Sequence, residues 1–421
     1  MTIAEIRPRQ STTPRNHDDP APVSERQAPV SVVRDSTPAA PAGIRVPSPR
    51  AKGTGFTRYR YQICGGVAVV SDVVLPELDF FRVGQLHDAP AIEVRRGPVG
   101  HRTPRSRAVM TQFEDPAALR YEEHLGVLGA NFSLDLGDPI KVTVSPLLAR
   151  SPHVLYTNVL EALLRFVFVS RGQMLLHSAC VELDGVGVML SARTDTGKTG
   201  TVLRLLRERS ARFLSDDMTI LDGSGTARIY PKPLTISAHT LRAVDPGDVG
   251  RLEWAVLNLR GRLHSKGGRS VGMEMGEHNL PIMSANSLVQ AIVPPPKYPV
   301  QRLVRCELAD SVKVSELFVI ERGAPRLEDV SKDQALQELL DNTDDAYGFP
   351  PFRYFAPCLV IGGEEYQRLR AREAEILRSA LTEVRVRRLA SDTFGWADTI
   401  PDLVTTGGLV SMSTFDAGVG A

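Results

Sequence analysis

Hydrophobic and polar residues alternate along residues 59–146 in short runs that predict β-strands. The runs GVAVVSDVVLPEL, APAIEVRRG, GANFSLDLG and PIKVTVS are separated by Gly, Pro and Asp, which favour turns. We therefore predict a small β-rich domain over residues 56–150.

A helical period replaces this alternation in the segment TNVLEALLRFVFVSRG. Its apolar residues recur at the spacing of one helix face, at Val159, Leu160, Leu163, Leu164 and Val167. Gly172 follows at the place where glycine commonly ends a helix. We expect this helix to lead into a second domain over residues 151–390.

The second domain begins with the pattern of strand, loop, helix and strand. MLLHSACVEL and VGVMLSA flank a hairpin turn at Asp184 and Gly185, TVLRLLRER predicts an amphipathic helix, and ARFLSDDMTIL predicts an apolar strand. Farther along, LVQAIVPP, QRLVRCEL and SELFVIERG predict strands, and EYQRLRAREAEILRSALTEV predicts a helix. The second domain should be α/β, and the whole chain α+β.

Composition sets the two ends of the chain apart. Residues 1–55 contain nine of the 30 prolines among Ser, Thr, Arg and Asp, without any helical or alternating period. Such a segment buries too little apolar surface to offset its ordering entropy, so we predict a disordered Pro-rich arm. Residues 391–421 are rich in Gly, Thr and Asp and predict a flexible tail.

Charge, cysteines and hydropathy narrow the classes of partner. Lys and Arg total 50 against 49 Asp and Glu, so we expect no nucleic-acid and no membrane partner. The four cysteines lie far apart, which argues against a disulfide framework or a zinc site. No apolar run approaches the roughly 18 residues of a membrane span, and the first residues lack the apolar core of a secretion signal. A cytoplasmic protein is the expectation.

The stretch SARTDTGKTG, between an apolar strand and an amphipathic helix, ends like a phosphate-binding loop. In such loops backbone N–H groups surround phosphate oxygens, a lysine reaches the outer phosphates, and a hydroxyl holds Mg²⁺. We predict that the candidate loop, residues 192–200, binds a nucleotide through Ala192, Arg193, Thr194, Asp195, Thr196, Gly197, Lys198, Thr199 and Gly200. A surface turn is the alternative, but the flanking strand and helix disfavour it.

Two adjacent aspartates follow the next apolar strand. Asp216 and Asp217 come after Phe213-Leu214-Ser215, at the end of a strand where open α/β sheets place ligand groups. Neighbouring side chains of a strand point to opposite faces, so one carboxylate could hold Mg²⁺ while the other accepts the proton of a hydroxyl. A solvated turn is the alternative for an isolated Asp-Asp pair. His177, taken alone, is typical of a strand histidine.

In chain order, the histidine of HSACVEL, the glycine hairpin of DGVGVML, the GKT tripeptide, its helix and FLSDD resemble the HPr kinase/phosphorylase family. The catalytic domain of that family shares its nucleotide fold with phosphoenolpyruvate carboxykinases. RYRYQICGGVAVVSDVVLPEL and APAIEVRRGPV resemble an uncharacterised kinase-like branch with a β-rich N-terminal domain. The resemblance covers residues 57–325 and implies a P-loop-containing, carboxykinase-like catalytic domain beside a smaller β-rich N-terminal domain.

The resemblance also implies an activity: a kinase that transfers a phosphoryl group from ATP or GTP, with Mg²⁺, to a hydroxyl. The acceptor would be a serine of a peptide or protein, or a small metabolite. Assembly of the protein into a homo-oligomer is left open. Lys198 and Thr199 would bind the phosphates and Mg²⁺. Asp216, as metal ligand, and Asp217, at the substrate hydroxyl, would be catalytic, with His177 beside them to stabilise the catalytic carboxylate.

The candidate loop departs from the family pattern Gly-x-Ser-Gly-x-Gly-Lys-Ser/Thr. Ala192, Thr194 and Asp195 stand at the first Gly, the Ser and the second Gly. A positive φ at Ala192 would cost about 1 kcal/mol, and the Asp195 carboxylate would repel phosphate unless Arg193 compensates it. The alternative is therefore a catalytically degenerate, kinase-like nucleotide-binding or scaffold protein. A decarboxylating carboxykinase fits less well, because that similarity is confined to the loop.

Overall fold

The computed structural model describes residues 58–100, 108–113, 118–193, 196–235, 280–348 and 350–405, together with the backbone of strand Val32–Asp35. These residues form helices and two large mixed sheets of nine strands each. The predicted α+β class is confirmed at this level.

The first sheet is built from the strands before residue 145. In chain order β1 to β9 are Val32–Asp35, Tyr59–Ile63, Val67–Ser71, Arg82–Val83, Pro90–Arg96, Val109–Phe113, Ala118–Glu122, Phe132–Asp135 and Ile140–Val144. Their order in the sheet is β1-β6-β7-β8-β9-β5-β3-β2-β4. In β9 buried residues alternate with partly exposed ones, as in a sheet that covers a core with one face.

Strand β1 falls within the arm that the sequence predicts to be disordered. It pairs in parallel with β6, from Val32 beside Met110 to Asp35 beside Phe113. The prediction is wrong for these four residues, because the outer edge of β6 offers unpaired backbone groups that an extended segment can satisfy. The rest of the arm lies outside the described residues.

The second sheet and two small two-stranded sheets use the later strands. In chain order β10 to β22 are Gln173–Leu176, Ala179–Leu183, Val186–Ser191, Arg212–Ser215, Thr219–Asp222, Thr226–Arg228, Leu234–Thr235, Lys297–Tyr298, Ser311–Arg322, Arg326–Asp329, Val360–Ile361, Glu364–Glu365 and Arg385–Ser391. The second sheet has the order β10-β14-β15-β18-β12-β11-β13, with β22 beside β18 and β19 beside β22. Strands β16 and β17, far apart along the chain, form one antiparallel pair, and the neighbouring strands β20 and β21 form the other.

The helices pack on these sheets. Helices α1 to α10 are Pro146–Ala149, Pro152–Leu155, Glu161–Ser170, Lys198–Glu208, Ile282–Ile292, Val300–Leu303, Lys332–Tyr347, Phe352–Phe355, Tyr366–Ala380 and Trp396–Thr405. A π-helical turn, Tyr156–Leu160, joins α2 to α3, and short 3₁₀ helices lie at Cys64–Gly66, Pro76–Phe81, Ala356–Cys358 and Leu381–Glu383.

Three predicted strands have a different form in the structure. LVQAI ends helix α5, and QRL lies in helix α6, because a short apolar run alone does not distinguish strand from helix. MLLHSACVEL is broken at His177 and Ser178 into β10 and β11, which pair with different neighbours. The predicted helix over EYQRLRAREAEILRSALTEV is present as α9.

Residues Pro152–Ser170 form one continuous apolar helical segment in the middle of the molecule. By length and hydropathy it could cross a membrane, which our expectation from the sequence did not foresee, but 78% of it is buried inside the fold. Burial of this kind is typical of a core helix. Its α3 part packs against β10 and α9, and one hydrophobic cluster includes residues of both sheets, such as Phe132 and Leu317. The division into two domains near residue 150 stays a prediction.

The C-terminal helix α10 lies in the stretch predicted to be a flexible tail. Trp396 is 1% exposed, its Nε1 donates a hydrogen bond to the Leu389 carbonyl oxygen at 3.1 Å, and the helix packs against α4. The prediction is wrong for α10, since Trp396, Ile400 and Leu403 recur at helical spacing and are buried. Residues 406–421 lie outside the described residues.

A buried ionic cluster joins the 3₁₀ helix Pro76–Phe81 to the helical segment and to β17. The Glu77 carboxylate, fully buried, lies 2.7 Å from His153 Nδ1 and also pairs with the Lys297 ammonium. Burial alone would raise the pKa of Glu77, but the hydrogen bond with His153 and the charge of Lys297 outweigh it and lower the pKa to about 2. Glu77 therefore stabilises the fold only where it is ionised.

We expect Glu77→Gln to weaken the pH dependence of stability. A carboxyl with a lowered folded-state pKa contributes stability above its unfolded pKa and loses it as the pH falls toward the folded value. Between pH 5 and pH 3 the stability gap between wild type and variant should shrink by about 2 kcal/mol. Urea unfolding at both pH values measures it. Asp79→Asn, an exposed carboxylate of the same 3₁₀ helix, is the control, and an equal shrinkage there would contradict the assignment.

Candidate functional site

The strands that carry the candidate residues end at one edge of the second sheet. Strand β11 is antiparallel to both β12 and β13, so these two run in the same direction. Strand β18 is parallel to β12, and β22 is parallel to β18. The last residues of the four strands, Ser191, Ser215, Arg322 and Ser391, therefore lie at one edge, which we call the carboxyl edge. The N-terminal end of β11, after His177, reaches the same edge.

The candidate loop crosses this edge and runs into helix α4. The helix begins at Lys198, with Gly197 as the preceding cap residue at φ 135°. The first N–H groups of a helix have no intrahelical acceptor and carry the positive end of its dipole, which suits them to bind an anion. Residues Thr194 and Asp195 lie outside the described residues.

Ala192 is one of the three departures from the family pattern, and the structure accommodates it. It is 3% exposed, and its φ is not in the positive range. A residue with negative φ incurs no penalty for a Cβ atom, so the expected cost of about 1 kcal/mol does not arise. Ala192 is therefore compatible with the conformation that the chain adopts here.

A cluster that the sequence did not reveal holds the end of the loop. Arg322 Nε donates a hydrogen bond to the Thr196 carbonyl oxygen at 3.0 Å, and its guanidinium lies 4.6 Å from the centre of the Phe394 ring. A Cβ atom on Gly197 would come within 2.9 Å of the Trp396 ring. The aromatic run TFGW after β22 could have indicated this cluster, but composition assigned that stretch to a flexible tail. Residue 197 must be glycine for reasons of both φ and space.

Two glycines of the loop make a matched test of this constraint. Gly197→Ala should lower the free energy of unfolding by about 1–3 kcal/mol, because the new Cβ meets Trp396 at a positive φ. Gly200→Ala should leave it unchanged or raise it by about 1 kcal/mol, because Gly200 is helical and a Cβ there meets open space. Chemical denaturation compares the two variants. Equal effects would show that the aromatic cluster does not constrain the loop.

Asp216 and Thr199, the two metal ligands that the resemblance implies, lie next to each other. Thr199 Oγ1 donates a hydrogen bond to Asp216 Oδ2 at 2.7 Å, and Asp216 is 6% exposed. Burial raises the pKa of Asp216, although the Lys198 charge and the Thr199 hydrogen bond oppose it. The other carboxylate oxygen, Oδ1, is buried and has no hydrogen-bond partner among the described residues.

The Lys198 ammonium is also buried without a hydrogen-bond partner in the described part of the chain. Burial lowers the pKa of Lys198, and the nearby charges of Asp217 and Asp216 counteract this shift. Buried ammonium groups are normally paired. An anion that entered between Lys198 and the helix start would satisfy it.

Asp217 has different partners from Asp216, and its backbone is not that of a strand. It follows the end of β13 in a left-handed conformation, φ 77°, rather than in an extended strand. Its Oδ2 accepts a hydrogen bond from Lys232 Nζ at 2.8 Å, and its Oδ1 lies 3.6 Å from His177 Nε2. Partial desolvation would raise the pKa of Asp217, but the charge of Lys232 and the nearby His177 outweigh it and lower the pKa well below its usual range. The side chain is 54% exposed, so solvent still reaches it.

Helix α7 fixes the orientation of His177. His177 Nδ1 lies 3.1 Å from the Asn342 carbonyl oxygen, and the His177 backbone N–H donates to Thr343 Oγ1 at 3.2 Å. Because one ring nitrogen faces helix α7, the other is directed toward Asp217. Helix α7 is itself tied to α3 through Arg165 and Asp344, whose side chains are 2.7 Å apart. No local pattern along the chain predicts this support.

A cavity of about 480 Å³ opens beside the candidate loop. Val319 and Leu339 contribute apolar surface to its lining, and Asn342 contributes an amide. Several carboxylates also line it, including Asp341 and Asp345. The cavity is large enough for a small organic molecule next to the start of α4.

The oxygen atoms of Thr199 and Asp216 fit a Mg²⁺ ion that takes its remaining ligands from phosphate and water. Among the described residues, no group of three or more His, Cys, Asp and Glu could hold a metal ion. Mg²⁺ commonly takes only one or two protein oxygens and keeps water and phosphate ligands. The Thr199 hydroxyl and the unpartnered Asp216 Oδ1 supply oxygens of this type.

Comparison with known proteins adds no family. No protein-family model matches this chain, and no curated protein matches it at a significant level. The roles that the resemblance implies for His177, Lys198 and Asp217 are therefore proposals.

Proposed function

We propose that the protein is a nucleotide-dependent kinase that transfers the terminal phosphoryl group of ATP or GTP to a hydroxyl. The acceptor is a serine of a peptide or protein, or a small metabolite. The observation that carries the proposal is the buried Lys198 ammonium, without a hydrogen-bond partner in the described chain, between the start of helix α4 and two carboxylates of different environment. This arrangement supports a P-loop-containing, carboxykinase-like catalytic domain. The cytoplasmic location stays a prediction from the sequence.

The candidate loop binds the polyphosphate in this proposal. Backbone N–H groups at the start of α4 donate to phosphate oxygens, and Lys198 gives the buried positive charge that the terminal phosphate needs. The neighbouring cavity, which Ala192 and Thr196 help to line, receives the nucleoside. Arg193, at the same cavity, compensates the charge of Asp195.

Thr199 and Asp216 hold the metal ion. When bound, Mg²⁺ neutralises the charge of the phosphates during transfer. Asp216 gains from this contact, because burial penalises its ionised form and one of its oxygens is without a partner in the described chain.

Asp217 acts on the acceptor. The acceptor oxygen forms a bond to the terminal phosphorus, the bond from that phosphorus to the bridging oxygen breaks, and the nucleoside diphosphate leaves. The acceptor proton passes to the Asp217 carboxylate, which His177 steadies from the other side. With its lowered pKa, Asp217 is a weak base that mainly orients the hydroxyl, which suits the loose transition state of phosphoryl transfer.

Two substitutions separate binding from transfer. Lys198→Ala should weaken Mg²⁺-dependent ATP and GTP binding by about 10–100-fold, because a charged hydrogen bond to phosphate is lost. Asp217→Asn should retain binding and lower phosphoryl transfer by about 10²–10⁴-fold. Calorimetry measures the first, and transfer of labelled terminal phosphate to a serine peptide library, with hydrolysis as the basal reaction, measures the second. Lys141→Ala, an exposed lysine on β9, is the control. Unchanged transfer in Asp217→Asn would rule out the mechanism.

The second candidate is a catalytically degenerate nucleotide-binding or scaffold protein. The acidic residue Asp195 in the loop favours it, because a carboxylate near phosphates opposes their binding. Asp195→Gly distinguishes the two candidates in the same calorimetric titration. Nucleotide binding by the variant but not by the wild type would support the degenerate protein and contradict the kinase.

A further inference from the structure

Lys232 lies at the centre of the site, although no motif in the sequence points to it. Its ammonium is 2.5 Å from Glu161 Oε1 and 2.8 Å from Asp217 Oδ2, and the residue is 7% exposed. It also lies 5.6 Å from the centre of the Tyr156 ring. Three distant parts of the chain therefore meet at one buried ammonium.

Asp217 needs such a contact to stay where it is. Its left-handed backbone conformation is uncommon outside glycine and has to be maintained by the surrounding structure. Lys232 engages only the Oδ2 atom, which leaves Oδ1 directed toward His177 and accessible to an acceptor. One carboxylate oxygen is thus fixed and the other is left to act.

Glu161 fixes the ammonium from behind. It stands in the first turn of α3, is 5% exposed, and therefore cannot follow a moving lysine. A buried ammonium with two carboxylate partners offsets the cost of its own burial. The pKa of Lys232 is raised well above its usual range, because the charges of Asp217 and Glu161 outweigh burial, so the ammonium keeps its charge.

We propose that Lys232, backed by Glu161, is a positioning residue that holds Asp217 in the orientation required to receive the acceptor hydroxyl. The inference rests on the proposed kinase function. In the described structure the hydrogen bonds of the Lys232 ammonium go to Glu161 and Asp217, and only its charge reaches Lys198 of the candidate loop. Its main effect is therefore on the transfer step rather than on the binding of the nucleotide.

The test compares two buried lysines. Lys232→Met keeps the length of the side chain and removes the charge, and Lys297→Met does the same at the Glu77 cluster. We expect Lys232→Met to lower kcat about 100-fold, the effect of a small misplacement of a catalytic group, with the nucleotide KM within about twofold of wild type. Lys297→Met should leave kcat unchanged, and Lys232→Arg should recover most of the lost rate. An unchanged kcat in Lys232→Met, or an equal loss in Lys297→Met, overturns the inference.

A double variant and a structure cover the case in which Lys232→Met does not fold. Lys232→Met with Glu161→Gln removes both opposing charges, so folding should return while kcat stays low; recovery of kcat with folding overturns the inference. In a crystal structure of a folded variant, Asp217 should leave its left-handed conformation, and its persistence there also overturns the inference.

Wild-type protein that binds nucleotide without any transfer refutes the kinase instead, and the crystal structure still decides whether Lys232 holds Asp217.

Discussion

The position of one antiparallel strand, β11, determines the geometry of the site. Because β11 lies between β12 and β13 and runs against both, the loop after β12 and the aspartates after β13 emerge at the same edge. The same strand brings His177 to that edge at its N-terminal end. Without β11 in this position, the lysine of the loop and the two aspartates would not emerge at the same edge of the sheet.

The charged groups of the site fall into two pairs with different hydrogen bonding. Asp217 and Lys232 neutralise each other and stay ionised, whereas Lys198 and Asp216 are buried with incomplete hydrogen bonding. Burial acts against the charge of both groups of the second pair. A ligand that brings negative phosphate and a divalent cation together would satisfy both at once, which neither ion alone would do.

Local patterns predicted the parts of the site that are close in sequence. The strand, loop and helix around Lys198 follow from hydrophobic periodicity, and the end of an apolar strand located Asp216. Lys232, Asn342 and Trp396 reach the site only through tertiary packing, and none of them belongs to a local pattern of its own chemistry. The prediction of a strand where helix α5 ends was wrong, because an apolar run of that length fits both the strand period and the helix period.

The helical segment Pro152–Ser170 has a consequence for how the chain is made. It is apolar enough to resemble a membrane span, and its α3 part is covered by β10 and by α9. During synthesis the segment leaves the ribosome well before Tyr366, where α9 begins, has been added. The nascent chain therefore carries this apolar helix without its α9 cover for much of its synthesis. Until residue 380 has emerged, the face that α9 later covers is an exposed apolar surface, which is the kind of surface that aggregates or binds chaperones.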